Sequence, residues 1–373
     1  MIQRAGTVLL ALASLALALL AAELLVRALD IGPHFQVVFR ESVEPSDDPQ
    51  LGYALRPGAR DGRSRISQAG LRDREYEHPK PAGVFRIVTI GDSVTYGSGG
   101  PREAAWGEQL EALLERFGSG ARFEVLNLGV PGYHIGQSVQ RLRVTGLAFE
   151  PDLVLYGYVL NDPQAFSVES AAIEALRERA RSAPLEAEPS AWRRILSHSR
   201  LFLLTRHFTP QRGNARTLRD SLPPDPAYAA SKGTDPAAYF RRLHESGDSA
   251  QRLVDGLATL GRIASEQGIP ARVVVFPLFS DDGRGPASPA DVHARVASIA
   301  SRSGLAAIDL VPAFERARAT GQTLAMDFLH PNPLGARIAA GAVLEALCET
   351  HALPAGAVDC ATASDAFETM LAR

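Results

Sequence analysis

The chain has 373 residues, 46% of them hydrophobic and 22% charged, a globular composition long enough for one large domain with accessories. Its formal net charge is -3, Lys80 and Lys232 are its only lysines, and its arginines are scattered instead of clustered. That pattern excludes a basic nucleic-acid-binding surface, and no nucleic-acid partner is expected.

From Ala5 to Ala22 no residue is charged, and the apolar run is long enough for residues 1–30 to form a transmembrane helix. Arg4 precedes it while Glu23, Arg27 and Asp30 follow, a bias that favours the N-terminus inside and the body outside, periplasmic or extracellular. Two alternatives stay open: a cleaved signal segment, for which Ala16-Leu17-Ala18 is a small-x-small site lying inside the apolar run, and an ordinary buried helix. Residues 31–83 are rich in Pro, Gly, Arg and Asp and read as a tether with short strands packed on the core, at pieces such as Gln36–Phe39 and Leu51–Leu55.

The main domain, 84–350, alternates in a regular way. Strands are expected over Phe85–Ile90, Phe123–Leu128, Leu153–Leu160, Arg272–Phe276 and Ala306–Leu310. Helices are expected over Trp106–Phe117, Gln137–Leu147, Ala250–Gln267 and Pro333–Glu349, the last with Asn332 as N-cap and Pro333 at its first position. Strands alternating with helices imply a parallel sheet covered on both faces. Residues 163–248, holding Trp192, Leu201–Leu204 and a Pro-rich piece from Leu222 to Tyr228, form an insertion after the third strand. Its place beside the carboxyl ends of the strands suits a lid or substrate wall, with a purely structural flap as the alternative. Cys348 and Cys360 are the only cysteines; in an exported protein they pair and staple the tail, 351–373, to the last helix, and otherwise they are two free thiols.

Four segments carry residues with chemistry in them. Thr89-Ile90-Gly91-Asp92-Ser93 ends the first strand and offers Ser93 either as a nucleophile or as a turn residue. Asp327 and His330 are three apart, so a single turn brings the carboxylate to Nδ1 and leaves Nε2 as a general base. Asn127 to Tyr133 contains Gly129 and Gly132, and Tyr158 to Asp162 contains Asn161; backbone amides and an amide side chain are the donors an oxyanion hole uses. All four segments fall at the same edge of the predicted sheet.

Rival motifs fail. A Gly-x-Ser-x-Gly elbow needs glycine where Thr95 stands, a P-loop needs a Gly-Lys pair that is absent, and Ser93 and Tyr96 occupy glycine positions of a dinucleotide fingerprint. The nine histidines form no HExxH and no tight ligand cluster, so no metal and no cofactor are expected. His134 reads as a surface-loop residue, with substrate contact as the alternative.

Together, Gly91-Asp92-Ser93, Asn127 with Gly132, Asn161-Asp162 and Asp327-x-x-His330-Pro331 resemble the four sequence blocks of the SGNH, or GDSL-type, hydrolases, from about Arg86 to the final helix. With its N-terminal apolar segment and the stretch Gly70-Leu71-Arg72-Asp73, the chain also resembles the membrane-anchored bacterial subgroup. The resemblance implies a flavodoxin-like three-layer α/β/α sandwich with a central parallel sheet and hydrolysis through an acyl-enzyme. It implies Ser93 as nucleophile, His330 as general base and then acid, Asp327 as its orienter, and the amides of Ser93 and Gly132 with the Asn161 side chain as the oxyanion hole. Val94 stands where the family name has leucine, and Val159 where many members have glycine, a side chain expected to narrow the pocket. The activity implied is a serine esterase taking short acyl groups, acetyl foremost, from a small-molecule or glycan ester. O-acyl transfer to a cell-surface glycan and a non-catalytic polysaccharide-binding component are the alternatives.

Overall fold

The computed structural model describes residues 2–28, 42–61, 64–165, 167, 170, 171, 173, 174, 199, 226–233 and 235–372, with side chains of the first helix described over 13–26. The expectations at Gln36–Phe39, Trp192 and Leu201–Leu204, and the start of the Pro-rich piece, lie outside those residues. The chain forms two compact units, residues 1–37 with 175–221, and residues 38–174 with 222–373.

In the first unit, helix α1 spans Ile2–Ala28. Leu15, Leu17, Leu19, Leu20, Leu24 and Leu25 are all more than half exposed, Val26 is buried, and the Ser199 hydroxyl donates to Glu23 Oε2 at 2.9 Å. Among the described residues, no helix is long and apolar enough to cross a membrane.

The second unit opens with two small antiparallel hairpins, β1 (Val43–Pro45) with β2 (Tyr53–Leu55) and β3 (Arg60–Asp61) with β4 (Ser64–Arg65). The main sheet follows: β5 (Val84–Gly91), β6 (Arg122–Asn127), β7 (Leu153–Tyr158), β8 (Ala271–Val275) and β9 (Ala306–Asp309). All its pairings are parallel, in the order β6-β5-β7-β8-β9. Counted from the first strand this is 2-1-3-4-5, the flavodoxin-like order that the resemblance implied. β7 is buried at every position because helices cover both faces, which is why it reads as an unbroken apolar run.

The described helices of this unit are α2 (Ser93–Tyr96), α3 (Trp106–Phe117), α4 (Ile135–Val144), α5 (Pro226–Ser231), α6 (Pro236–Glu245), α7 (Gly247–Gln267), α8 (Ala290–Arg302), α9 (Val311–Arg318), α10 (Pro333–Glu349) and α11 (Cys360–Leu371). Alternate residues of β5 meet opposite layers: Thr89 lies against Gly107 of α3, and Val88 against Gly146 just after α4. α3 packs with α10 and α11 on one face, and α4 with α7 on the other. α10 begins as expected, with Asn332 Oδ1 accepting from Gly335 N.

The expected staple is present: Cys348 and Cys360 form a disulfide, and residues 351–373 carry α11, which buries Phe367 against Gly341 of α10. One expectation is revised. Within the expected insertion, α6 is core structure, packed on α7 and α8 with Phe240 and His244 fully buried. The His244 ring is tied to Tyr158 Oη and to Phe240 O, which explains how an imidazole is accommodated there.

Candidate active site

β5 ends at Gly91, where only glycine fits: φ is 154°, and a Cβ would stand 2.3 Å from Thr95 Oγ1 and 2.7 Å from Gly157 O. The chain then enters α2 with Asp92 as N-cap, its Oδ1 accepting from Val94 N at 2.9 Å. Ser93 is the first residue of that turn and is 8% exposed. The Gly-Asp-Ser turn therefore terminates the strand and presents the hydroxyl at once.

Ser93 Oγ lies 2.8 Å from His330 Nε2, and His330 Nδ1 lies 2.9 and 2.8 Å from the two oxygens of Asp327. An ionised carboxylate only accepts, so Nδ1 carries the ring proton and Nε2 accepts from the serine hydroxyl. Asp327 is half-exposed at its outer edge. The cost of partial burial is outweighed by hydrogen bonding and charge from His330 and by the amides of Leu329 and His330, which hold its carboxyl down at about 2.

The Asp327 to His330 segment makes the expected turn as a non-helical bend. Pro331 disfavours helical backbone at His330, and an Ala325–Pro331 bridge closes the loop instead. Asp327 Oδ1 shapes the bend by accepting from the Leu329 and His330 amides, both at 2.8 Å.

The other two blocks converge from neighbouring strands. Val130 N donates to Gly91 O at 3.1 Å and Ile135 N to Asp162 O at 3.2 Å, tying the loops after β5, β6 and β7 together. Asn127 bridges within this set, its Nδ2 donating to Thr95 O and its Oδ1 accepting from Gly129 N. Gly132 turns with φ of 76°. The Asn161 side-chain amide makes no hydrogen bond among the described residues, and its Oδ1 is buried. Asp162 accepts from Tyr156 Oη at 2.6 Å; its burial, and next the charge of Asp92, push its carboxyl well above the usual range.

Two further expectations change. Val159 does not narrow the pocket: it is completely buried in the core and absent from the walls of the cleft beside Ser93. His134 is no surface-loop residue but the N-cap of α4, its Nδ1 accepting from the Gly136 and Gln137 amides while Gln137 reaches back to the His134 amide. Burial, with the charge of Arg252, lowers this ring to about 4, so it stays neutral and keeps its lone pair for the cap.

A shallow cleft open to solvent lies beside Ser93 and His330. Ala104, Ala105, Trp106, Met326, Pro333 and Ala336 contribute to its wall. Among the described residues no group of His, Cys, Asp or Glu side chains is arranged to hold a metal ion.

Sequence reasoning missed the polar residues that carry these loops from behind. Arg72 and Asp73 are 3% and 4% exposed, and Asp73 Oδ2 accepts from Asn127 N at 3.0 Å. The stretch Gly70–Asp73 was visible as a motif, but nothing in it names its partners, most of which are backbone atoms.

Residues 89–338 match the GDSL-like Lipase/Acylhydrolase family. No curated protein matches the chain. Among solved structures it is similar to the acetyl xylan esterase AlAXEase, at 13% identity over 70% of this chain and 100% of that one, with a TM-score of 0.40. It is similar to LAE5, an α/β hydrolase enzyme from the metagenome of Lake Arreo, Spain, at 18% identity over 73% and 97%, with a TM-score of 0.41. A catalytic mutant of Axe2, an acetylxylan esterase from Geobacillus stearothermophilus, shares 16% identity over 70% and 92%, with a TM-score of 0.37. With the family matched across most of the chain and a serine, histidine and aspartate in one hydrogen-bonded line, the chain belongs to the GDSL-like lipase/acylhydrolases and is a serine hydrolase of ester bonds.

Proposed function

We propose that the protein removes short acyl groups, acetyl foremost, from a carbohydrate or related polar ester outside the cytoplasm. The observation that carries the reading is the line Ser93 Oγ, His330 Nε2, His330 Nδ1, Asp327, with both links at hydrogen-bond distance before any substrate arrives. In the mechanism, His330 takes the proton of Ser93 as the hydroxyl attacks the ester carbonyl, and Asp327 steadies the imidazolium that forms. The amides of Ser93 and Gly132 and the side chain of Asn161 receive the oxyanion, and loss of one such donor costs about 10²- to 10³-fold in turnover. Collapse expels the alcohol, which takes its proton from His330; water attacks the acyl-enzyme by the same route in reverse.

Short acyl groups are favoured by a small, alanine-lined cleft. A polar alcohol portion is favoured by the openness of the cleft to solvent. Export and retention at the membrane by α1 are supported by the uncharged run from Ala5 to Ala22 and the leucines exposed around it.

The test is a panel of acetylated sugars, peptidoglycan fragments and simple short-chain esters, given to the wild type and to Ser93→Ala. Acetate release by the wild type alone is the expected result. Turnover retained in Ser93→Ala, or none on any acetyl ester, overturns the reading.

A further inference from the structure

The hairpin segment before the main sheet reaches two of the three loops assigned to the oxyanion, those of Ser93 and Gly132. A second hydrophobic cluster joins Tyr53, Leu55 and Ile66 of that segment to Tyr96 of α2 and to Val130 and Tyr133 of the loop after β6. Within it, Tyr53 Oη donates to Pro131 O at 2.7 Å, and Tyr133 Oη donates back to Tyr53 O. The Pro131 carbonyl and the Gly132 N–H belong to one planar peptide unit and point in opposite directions. Fixing the carbonyl from behind therefore fixes the direction of the N–H in front.

The turn carrying Ser93 is held from its other end: Asp92 O, in the peptide unit of the Ser93 N–H, accepts from Tyr96 N at 2.9 Å, and the carbonyls that follow Tyr96 N are bound by this segment. α2 is four residues long, too short to persist unaided, and its last carbonyls need outside donors. Arg72 supplies them: Nη1 donates to Tyr96 O at 3.0 Å and Gly97 O at 3.2 Å, and Nη2 to Gly100 O at 2.7 Å. Its Nε pairs with Asp61 at 2.6 Å, and Asp61 also accepts from Tyr96 Oη, so the buried charge is neutralised where it is used. A planar fork can serve these acceptors together, whereas a lysine ammonium is a point donor.

We propose that Tyr53 and Arg72 are positioning residues for the ester hydrolysis, aligning the Gly132 and Ser93 amides on the oxyanion. This rests on the oxyanion role given to those amides above.

The experiment compares wild type, Tyr53→Phe and Arg72→Lys as full chains, with kcat expressed per Ser93 labelled by a fluorophosphonate. The expected result is a kcat lower by about 10-fold in Tyr53→Phe and about 10²-fold in Arg72→Lys, with KM unchanged, since misplaced groups cost turnover before binding. Tyr53→Phe keeps the ring and its packing, so it decides the matter should Arg72→Lys fail to fold. A labelled Tyr53→Phe with kcat within about twofold of wild type overturns the proposal, as does a loss explained wholly by fewer labelled sites. An unlabelled wild type overturns the serine mechanism along with it; a labelled wild type with unaffected variants overturns this proposal alone.

Discussion

Asp327 serves twice with one carboxylate. It orients the His330 ring through Nδ1, and by accepting from the Leu329 and His330 amides it also shapes the bend that carries the ring. Asp327→Asn is expected to lower kcat by about 10³- to 10⁴-fold, because an amide can present its NH₂ to Nδ1 and stabilise the wrong tautomer. Steady-state kinetics with a melting curve checks this: kcat should fall with the midpoint little changed. Ser93, Asp327 and His330 were legible in the sequence because side-chain chemistry at fixed spacing leaves a motif. Arg72 was not, since it serves the carbonyls of Tyr96, Gly97 and Gly100, and a carbonyl has no letter of its own. His134 was misjudged because helix caps are sought among Ser, Thr, Asp and Asn, and an imidazole capping through Nδ1 falls outside that rule.

Among the elements, α3 is seated on a buried acid. Glu108 in its first turn faces Asp73 and Arg102 and is only 11% exposed. Burial, and then the charge and hydrogen bond of Asp73, raise it from 4.5 to about 9. A carboxyl raised on folding makes the folded state bind the extra proton, so stability is full below the unfolded pKa and falls as pH rises through the window from 4.5 to about 9. Glu108→Gln, which keeps a neutral donor beside Asp73, should flatten that decline. Melting midpoints of both proteins between about pH 5 and pH 9 check it, and parallel curves would refute it. The main strands and most of the longer helices were predictable to within a few residues, because burial on both faces leaves an unbroken apolar run and burial on one leaves a periodic trace. α8, α9 and α11 went unnoticed in the sequence. α11 in particular owes its place to Phe367 and a disulfide, contacts set by the tertiary structure.

At the scale of the molecule, the parallel sheet and both covered faces were legible from the alternation of strands and helices and the strand order from the resemblance, whereas the role of residues 42–76 as the back wall of the site was not. A segment rich in Pro, Gly and Arg reads as a tether with short strands when its buried residues are few and scattered and its polar ones bond the backbone of neighbouring loops. For the N-terminal helix, carbonate-washed membranes should retain the full chain, with a mature N-terminus preceding Ala16. Release into the wash, or an N-terminus beyond Ala18, would exclude the retained anchor.

The line from Ser93 to His330 joins residues 237 positions apart, and α11, which follows both, closes the layer over α3 and α10. A polypeptide made from its N-terminus thus has its serine long before it has its base. Until that base is folded beside it Ser93 is an ordinary alcohol, so the reagent is a property of the assembled fold and not of the serine.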